Sequence, residues 1–193
     1  LHKASDLFLN FGFKSVTMDD IASKMGISKK TIYSHFPTKL DLVRATAFYV
    51  FERINTGICS ICASNENPIQ EIFSIKSLVM KQLKGEKASP QFQLEKYYPR
   101  IFKSLRDKQF GSIHDCISGN LQRGIDEGYY RPEIDKTVIT MFYVNGLMSI
   151  QDGKNFKVDI NDIPKLKEAF LEYHIRAIAS EKGIKTLNNI LEK

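Results

Sequence analysis

The chain has 193 residues, a formal net charge of +6 and a pI near 9.1. With 42% hydrophobic and 26% charged residues it has an ordinary globular balance, which excludes wholesale disorder, a collagen-like repeat and a cysteine-dense secreted scaffold. A chain this long buries roughly 70% of its unfolded surface and needs no disulfide or metal to fold; its basic excess permits nucleic-acid or anionic-membrane binding without choosing between them.

Leu1, Ala4, Phe8 and Phe11 recur at helical spacing, and Gly12 ends that helix. Met18, Ile21, Ala22 and Met25 mark a second short helix, stopped by Gly26. Thr17 and Asp20 form a capping box in which Asp stands for the usual Glu. Ser28 caps a third helix, which ends at the Phe36-Pro37 step. Ile27, Ile32 and Phe36 make its inward side, leaving Lys29, Lys30, Tyr33 and Ser34 outside. Thr38 caps a fourth, long helix with Leu40, Val43, Ala47, Val50, Ile54, Ile58 and Ile61 at steps of three and four, ending near 65–68. Further helices are expected at about 69–84, 91–109, 112–127, 135–151 and 163–181, with a tail helix near 184–192. The fold class is therefore all-α.

Segment 135–151 is apolar on every side, through Val138, Ile139, Met141, Phe142, Val144, Leu147, Met148 and Ile150, and must be covered on every side. A second subunit is a natural cover. This helix and 163–181, with its stripe of Leu166, Phe170, Tyr173 and Ala177, are the expected homodimer interface; the alternative is that both are monomer core. The longest uncharged apolar stretch, 137–151, falls short of the ~20 residues that span a membrane. Lys3 and Asp6 interrupt the first apolar residues, so no secretory signal is expected, while an opening on Leu1 leaves room for residues upstream. Three Cys without a spacing framework fit free thiols and a cytoplasmic location.

Residues 17–36 have the anatomy of a helix-turn-helix, with Gly26 at the turn. Between Ile21 and Leu40 stand Lys24, Lys29, Lys30 and Lys39 and no carboxylate, as a short cationic recognition helix requires. Residues 1–48 carry net +3, as do the remaining 145, so basic charge is about threefold denser in the first segment. The string Ala4-Ser5-Asp6-Leu7-Phe8, Gly12-Phe13, Thr17 to Ala22, Gly26 to Phe36 and Thr38 to Leu42 closely resembles the N-terminal domain of TetR-family transcriptional regulators. Lys30 stands where Gly is common in that family, and the first helix is shortened.

The resemblance implies a three-helix DNA-binding domain at 1–48 and a helical ligand-binding and dimerisation domain at 49–193. It also implies a ligand-responsive regulator rather than an enzyme: a repressor that binds a palindromic double-stranded DNA operator as a dimer, without cofactor or metal. By position, Thr17 and Lys39 are the phosphate contacts, and Lys29, Lys30 and Tyr33 face the major groove. Thr31, Ser34 and His35 bond phosphate or sugar edges. Gly124 to Pro132 resembles a turn of the second domain. An unknown small-molecule effector would be met by aromatic and polar residues of the middle helices. The candidates are Phe73, Tyr97, Tyr98, Phe102, His114, Phe142 and Asn145, each with a plainer reading as core. Two other readings stay open on the residues alone. One is a redox or metal protein built on Cys59-Ser60-Ile61-Cys62, with only Cys116 and His114 to add and no βαβ context. The other is a helical interaction module whose helix-turn-helix touches no DNA.

Overall fold

The computed structural model describes residues 1–83, 88–152 and 162–192. These form ten helices: α1 (His2–Phe11), α2 (Met18–Met25), α3 (Lys29–His35), α4 (Lys39–Cys62), α5 (Pro68–Gln82), α6 (Ala88–Tyr97), α7 (Pro99–Asp126), α8 (Lys136–Asp152), α9 (Ile163–Ile178) and α10 (Glu181–Leu191). The fold is all-α. No helix among the described residues is long and apolar enough to cross a membrane. The chain sorts into two compact units, one of Leu1–Ile58 with Ser77–Gln109, the other of Cys59–Lys76 with Phe110–Lys193. Helices α4, α5 and α7 contribute to both, and residue 48 lies inside α4.

In the first unit, Ala4, Phe8, Phe13, Val16, Met18, Ile21, Ala22, Ile32, Leu42, Val43 and Ala47 make one core. Phe8 and Phe13 stack at 4.9 Å. Leu94 of α6 and Ile101 of α7 join the same cluster, so the three-helix head has a further wall from distant sequence. Local caps fix the helix starts. Thr17 and Asp20 exchange the reciprocal bonds of a capping box; the Ser28 hydroxyl accepts from the Thr31 amide, and the Thr38 hydroxyl from the Asp41 amide. Gly26 closes α2 in the left-handed region, at φ 67 and ψ 31. Ile27 departs from expectation: it is 37% exposed, so Ile32 is the buried anchor of α3, with Phe36 partly covered.

Two boundaries also differ. The break expected near residue 110 is absent, and α7 runs unbroken through Gly111 from Pro99. Pro99 lacks an amide hydrogen and has a preset φ, both suited to a first helical position. Gly111 sits in open space, and a mid-helix glycine costs only about 1 kcal/mol. Helix α9 stops at Ile178 because Ser180 begins α10 as its cap, accepting from the Gly183 amide at 3.2 Å. Tyr129 and Arg131 seal that corner: the Ser180 amide donates to the Tyr129 carbonyl and the Arg131 amide to the Ile178 carbonyl.

The second unit surrounds Ile69, Ile72, Ile117, Leu121, Tyr130, Tyr143, Leu171, Ile175, Ile178 and Leu187. Inside it lies a polar network. Glu71 is fully buried, pairs with Arg123, and accepts from Asn120 Nδ2 at 2.8 Å. The same Asn120 nitrogen donates to the Pro68 carbonyl, and Asn120 Oδ1 accepts from Tyr130 Oη at 2.9 Å. The Tyr130 ring lies against Gly124, which joins the Gly124 to Pro132 turn to this network. Removing one partner of a buried pair leaves a charge without compensation. Arg123→Met should therefore cost about 3 kcal/mol in urea unfolding.

His174 on α9 is buried against the Tyr143 ring at 4.6 Å, and its Nε2 has no partner. Burial lowers its pKa to about 4. The unfolded chain, with a value near 6.5, binds this proton more readily than the folded one. Stability should thus fall by about 3 kcal/mol as pH drops from about 6.5 to 4. Thermal unfolding of His174→Phe over this range should lose that part of the pH dependence.

Candidate nucleic-acid interface

Helices α2 and α3 meet at Gly26, and α3 turns Lys29, Lys30, Thr31, Tyr33, Ser34 and His35 outward. Two helix starts neighbour this helix in sequence. Thr17 opens α2, and Lys39, half-buried, opens α4. An α-helix start presents unsatisfied amides and the positive end of the helix dipole, which favour phosphate oxygens. In sequence, therefore, one solvent-facing helix lies between two anion-favouring ends.

Several of these groups are already engaged. Lys29 Nζ pairs with Asp19 Oδ2 at 2.8 Å, and the bond to Asp19 raises the Lys29 pKa. The acid-free stretch from 21 to 40 is thus met in space by a carboxylate from α2. The Thr17 hydroxyl donates to Asp20 Oδ2 at 2.8 Å while accepting from the Asp20 amide. The Thr17 amide also donates to Asp20 Oδ2 at 2.8 Å, and this bond, followed by that of the hydroxyl, holds the Asp20 carboxyl below its ordinary pKa. The Ser34 hydroxyl donates to the Thr31 carbonyl, and the Thr31 hydroxyl is 2.8 Å from that of Ser28. Lys39 Nζ donates to the Lys14 carbonyl at 3.0 Å, leaving further protons of the ammonium for another acceptor. Burial, and then the Lys14 charge, lower the Lys39 pKa, against Asp20, which raises it. Lys30 has no ion-pair partner among the described residues.

The seven effector candidates do not form one cluster. Tyr97, Tyr98 and Phe102 belong to the first unit. Tyr98 and Phe102 pack on its core, and Tyr97 is exposed beneath Lys14 and Lys96. Phe73, His114, Phe142 and Asn145 belong to the second. Phe73 packs on the core there; half-buried His114 lies 3.2 Å from Asp115. Phe142 and Asn145 face outward on α8, Asn145 donating to the Met141 carbonyl one turn back. An open pocket of about 680 Å³, lined by Arg131, Ala179, Ser180, Glu181, Ile184, Lys185 and Asn188, contains none of the seven. Among the cysteines, Cys116 is pushed up to about 12 and Cys62 is also raised, chiefly by burial in both cases, so both are held as thiols.

A three-helix head of this geometry defines a helix-turn-helix DNA-binding protein. The family model for "Bacterial regulatory proteins, tetR family" matches residues 1–46. The transcriptional regulator YdeS of Bacillus subtilis is 30% identical over 141 residues, covering 70% of this chain and 67% of YdeS. The transcriptional repressor KstR2 of Mycobacterium tuberculosis is 25% identical over 153 residues, covering 74% and 72%. A transcriptional regulator from Cytophaga hutchinsonii shares the fold at TM-score 0.72 and 18% identity, over 93% of this chain and 96% of its own. The chain belongs to the TetR family of regulators, and it is a DNA-binding transcriptional regulator.

The Asp19–Lys29 pair yields a directional test. Asp19→Asn removes an acid from this face and frees a cation. Affinity for duplex DNA in 100 mM salt should rise several-fold, and the plot of log affinity against log salt should steepen by about one per head.

Proposed function

We propose that this protein is a repressor that binds a palindromic operator as a homodimer and releases it when a small molecule binds. The observation that carries the reading is the outward face of α3, which follows the start of α2 and precedes that of α4 in sequence. In this reading Lys29, Lys30 and Tyr33 enter the major groove. Lys donates to guanine O6 or N7, and the tyrosine ring packs on a thymine methyl. Thr17 and Lys39 take phosphates, and Thr31, Ser34 and His35 bond the backbone nearby. The name of KstR2 as a repressor supports the sign of regulation.

The homodimer reading rests on α8 and α9. They pack on each other within the second unit, yet Phe142 is 69% and Tyr173 71% exposed, with Val138 and Met141 also facing out. These side chains match the compositional signature of an interface core. Phe142 is thus better assigned to a subunit contact than to an effector. Two heads would engage half-sites ~34–36 Å apart, about one turn of DNA. Helix α4 begins with Lys39 and continues to Cys62, so it is the natural carrier of an effector's influence. The effector shifts the equilibrium by its differential affinity for the two states, typically ~1–3 kcal/mol.

Selection of bound sequences from random duplex DNA tests the reading. A palindrome with half-sites one turn apart is expected. With about six phosphates neutralised, log affinity should fall against log salt with a slope near −5. Lys39→Ala should weaken binding to all sequences alike, and Tyr33→Ala should change which are preferred. Sequence-independent binding at every salt concentration, or a monomer in sedimentation at micromolar concentration, defeats the proposal.

A further inference from the structure

We infer that Gln93 on α6, well outside the helix-turn-helix in sequence, is a positioning residue for DNA binding: its carboxamide holds the turn from which Thr17 and Lys39 are presented. The inference rests on the phosphate-contact reading of those two residues.

The turn between α1 and α2 contains the backbone amides of Lys14 and Ser15. Gln93 Oε1 accepts from the Lys14 amide at 2.7 Å and lies 3.4 Å from the Ser15 amide, while Nε2 is 3.5 Å from the Ser15 hydroxyl. Gly12 makes room for this insertion. Its φ of 91 suits glycine, and a Cβ there would lie 2.3 Å from Gln93 Nε2. The carboxamide therefore sits against the backbone itself. Any larger residue at position 12 would expel it.

The grip continues through Lys14. Its amide is held by α6, and its carbonyl accepts from Lys39 Nζ at 3.0 Å. One residue thus joins Gln93 to the first residue of α4, and three residues later Thr17 begins α2. Helix α6 contacts the turn a second time, because Lys14 Nζ lies 5.1 Å from the centre of the Tyr97 ring. The Lys14 carbonyl shares its rigid peptide plane with the Ser15 amide, which lies 3.4 Å from Gln93 Oε1, so the carbonyl that steers the Lys39 ammonium is oriented by a residue 78 positions away from Ser15. Releasing Gln93 frees that carbonyl to rotate, and the ammonium loses its fixed position.

Gln93→Met keeps the length of the side chain and removes the acceptor. Using the full chain and a pool of random-sequence duplex DNA, affinity is measured between 50 and 200 mM salt. We expect about tenfold weaker binding in 100 mM salt. We also expect a slope of log affinity against log salt shallower by about one per head, because the Lys39 contact is lost. Amide hydrogen exchange at Lys14 should accelerate. A general loss of folded protein would reduce the amount that binds but leave the slope unchanged, and thermal unfolding reports any such loss separately. Lys39→Ala is the reference variant. It should show the same shallower slope, and the double variant should add little to either single change. A wild-type slope in Gln93→Met, beside a shallower one in Lys39→Ala, overturns the role of Gln93 and leaves the phosphate reading standing. A wild-type slope in Lys39→Ala overturns the phosphate reading, and the inference falls with it.

Discussion

A helix of seven residues does not hold its shape alone in water, because nucleation costs more than one or two hydrogen bonds return. Helix α3 is such a helix, and every outward residue between 29 and 35 depends on it. It exists because Ile32 is buried in the head core and because Ser28 caps its first turn. Burying an isoleucine contributes roughly 1.5–3 kcal/mol and the cap about 1 kcal/mol. One anchoring side chain then frees the rest of the helix from packing. Lys29, Lys30, Tyr33 and Ser34 carry no core duty and can be chosen by what they touch outside. The same core draws on Leu94 and Ile101, so the reading helix is steadied partly by residues far along the chain.

The second unit solves a different problem. Its core admits a buried carboxylate, Glu71, and satisfies it with Arg123 and Asn120, the latter also linked to Tyr130 and the Pro68 carbonyl. A partly satisfied network of this kind would be worse than an apolar core. Its members must therefore form together, which ties the start of α5, the C-terminal end of α7 and the following turn into one geometry. Meanwhile Phe142 and Tyr173 remain outside. A unit that buries a charge and exposes two large aromatic rings is arranged by more than its own stability. The proposed homodimer would account for the rings.

Much of this was legible because it is local. The capping box of α2, the Thr38 and Ser28 caps and the Gly26 turn each depend on residues within three or four positions. The helix-turn-helix string was accordingly readable together with its boundaries. Contacts between distant residues were not. Asp19 reaches Lys29 across the turn, and a linear scan for acids between 21 and 40 stops short of it. Gly111 reads as a helix stop, but a single glycine costs less than the packing of a long α7 returns, while Pro99 suits a helix start. The effector candidates were chosen by residue type. A helical aromatic residue can face core, solvent or another subunit with equal ease by sequence, and Phe102, Tyr97 and Phe142 have quite different exposure. Gln93 carried no sequence signal beyond being one polar residue on a helix.

The charge of +6 therefore has two separate consequences. Its sum sets how the molecule approaches a polyanion, because long-range steering responds to net charge and falls with salt. Its placement sets what happens at contact, and there the cations are not idle. Lys29 holds Asp19, Lys39 holds the Lys14 carbonyl, and the Thr17 hydroxyl holds Asp20. Binding DNA is then an exchange of partners. Exposed ion pairs are worth no more than about 1 kcal/mol, so in the proposed complex a guanine acceptor displaces Asp19 from Lys29 at small cost. Before that exchange the pairs orient the side chains and reduce the conformational freedom lost on binding. A face that looks weakened by its own acid is thereby partly ordered for its ligand, and the Lys14 carbonyl does for Lys39 what Asp19 does for Lys29.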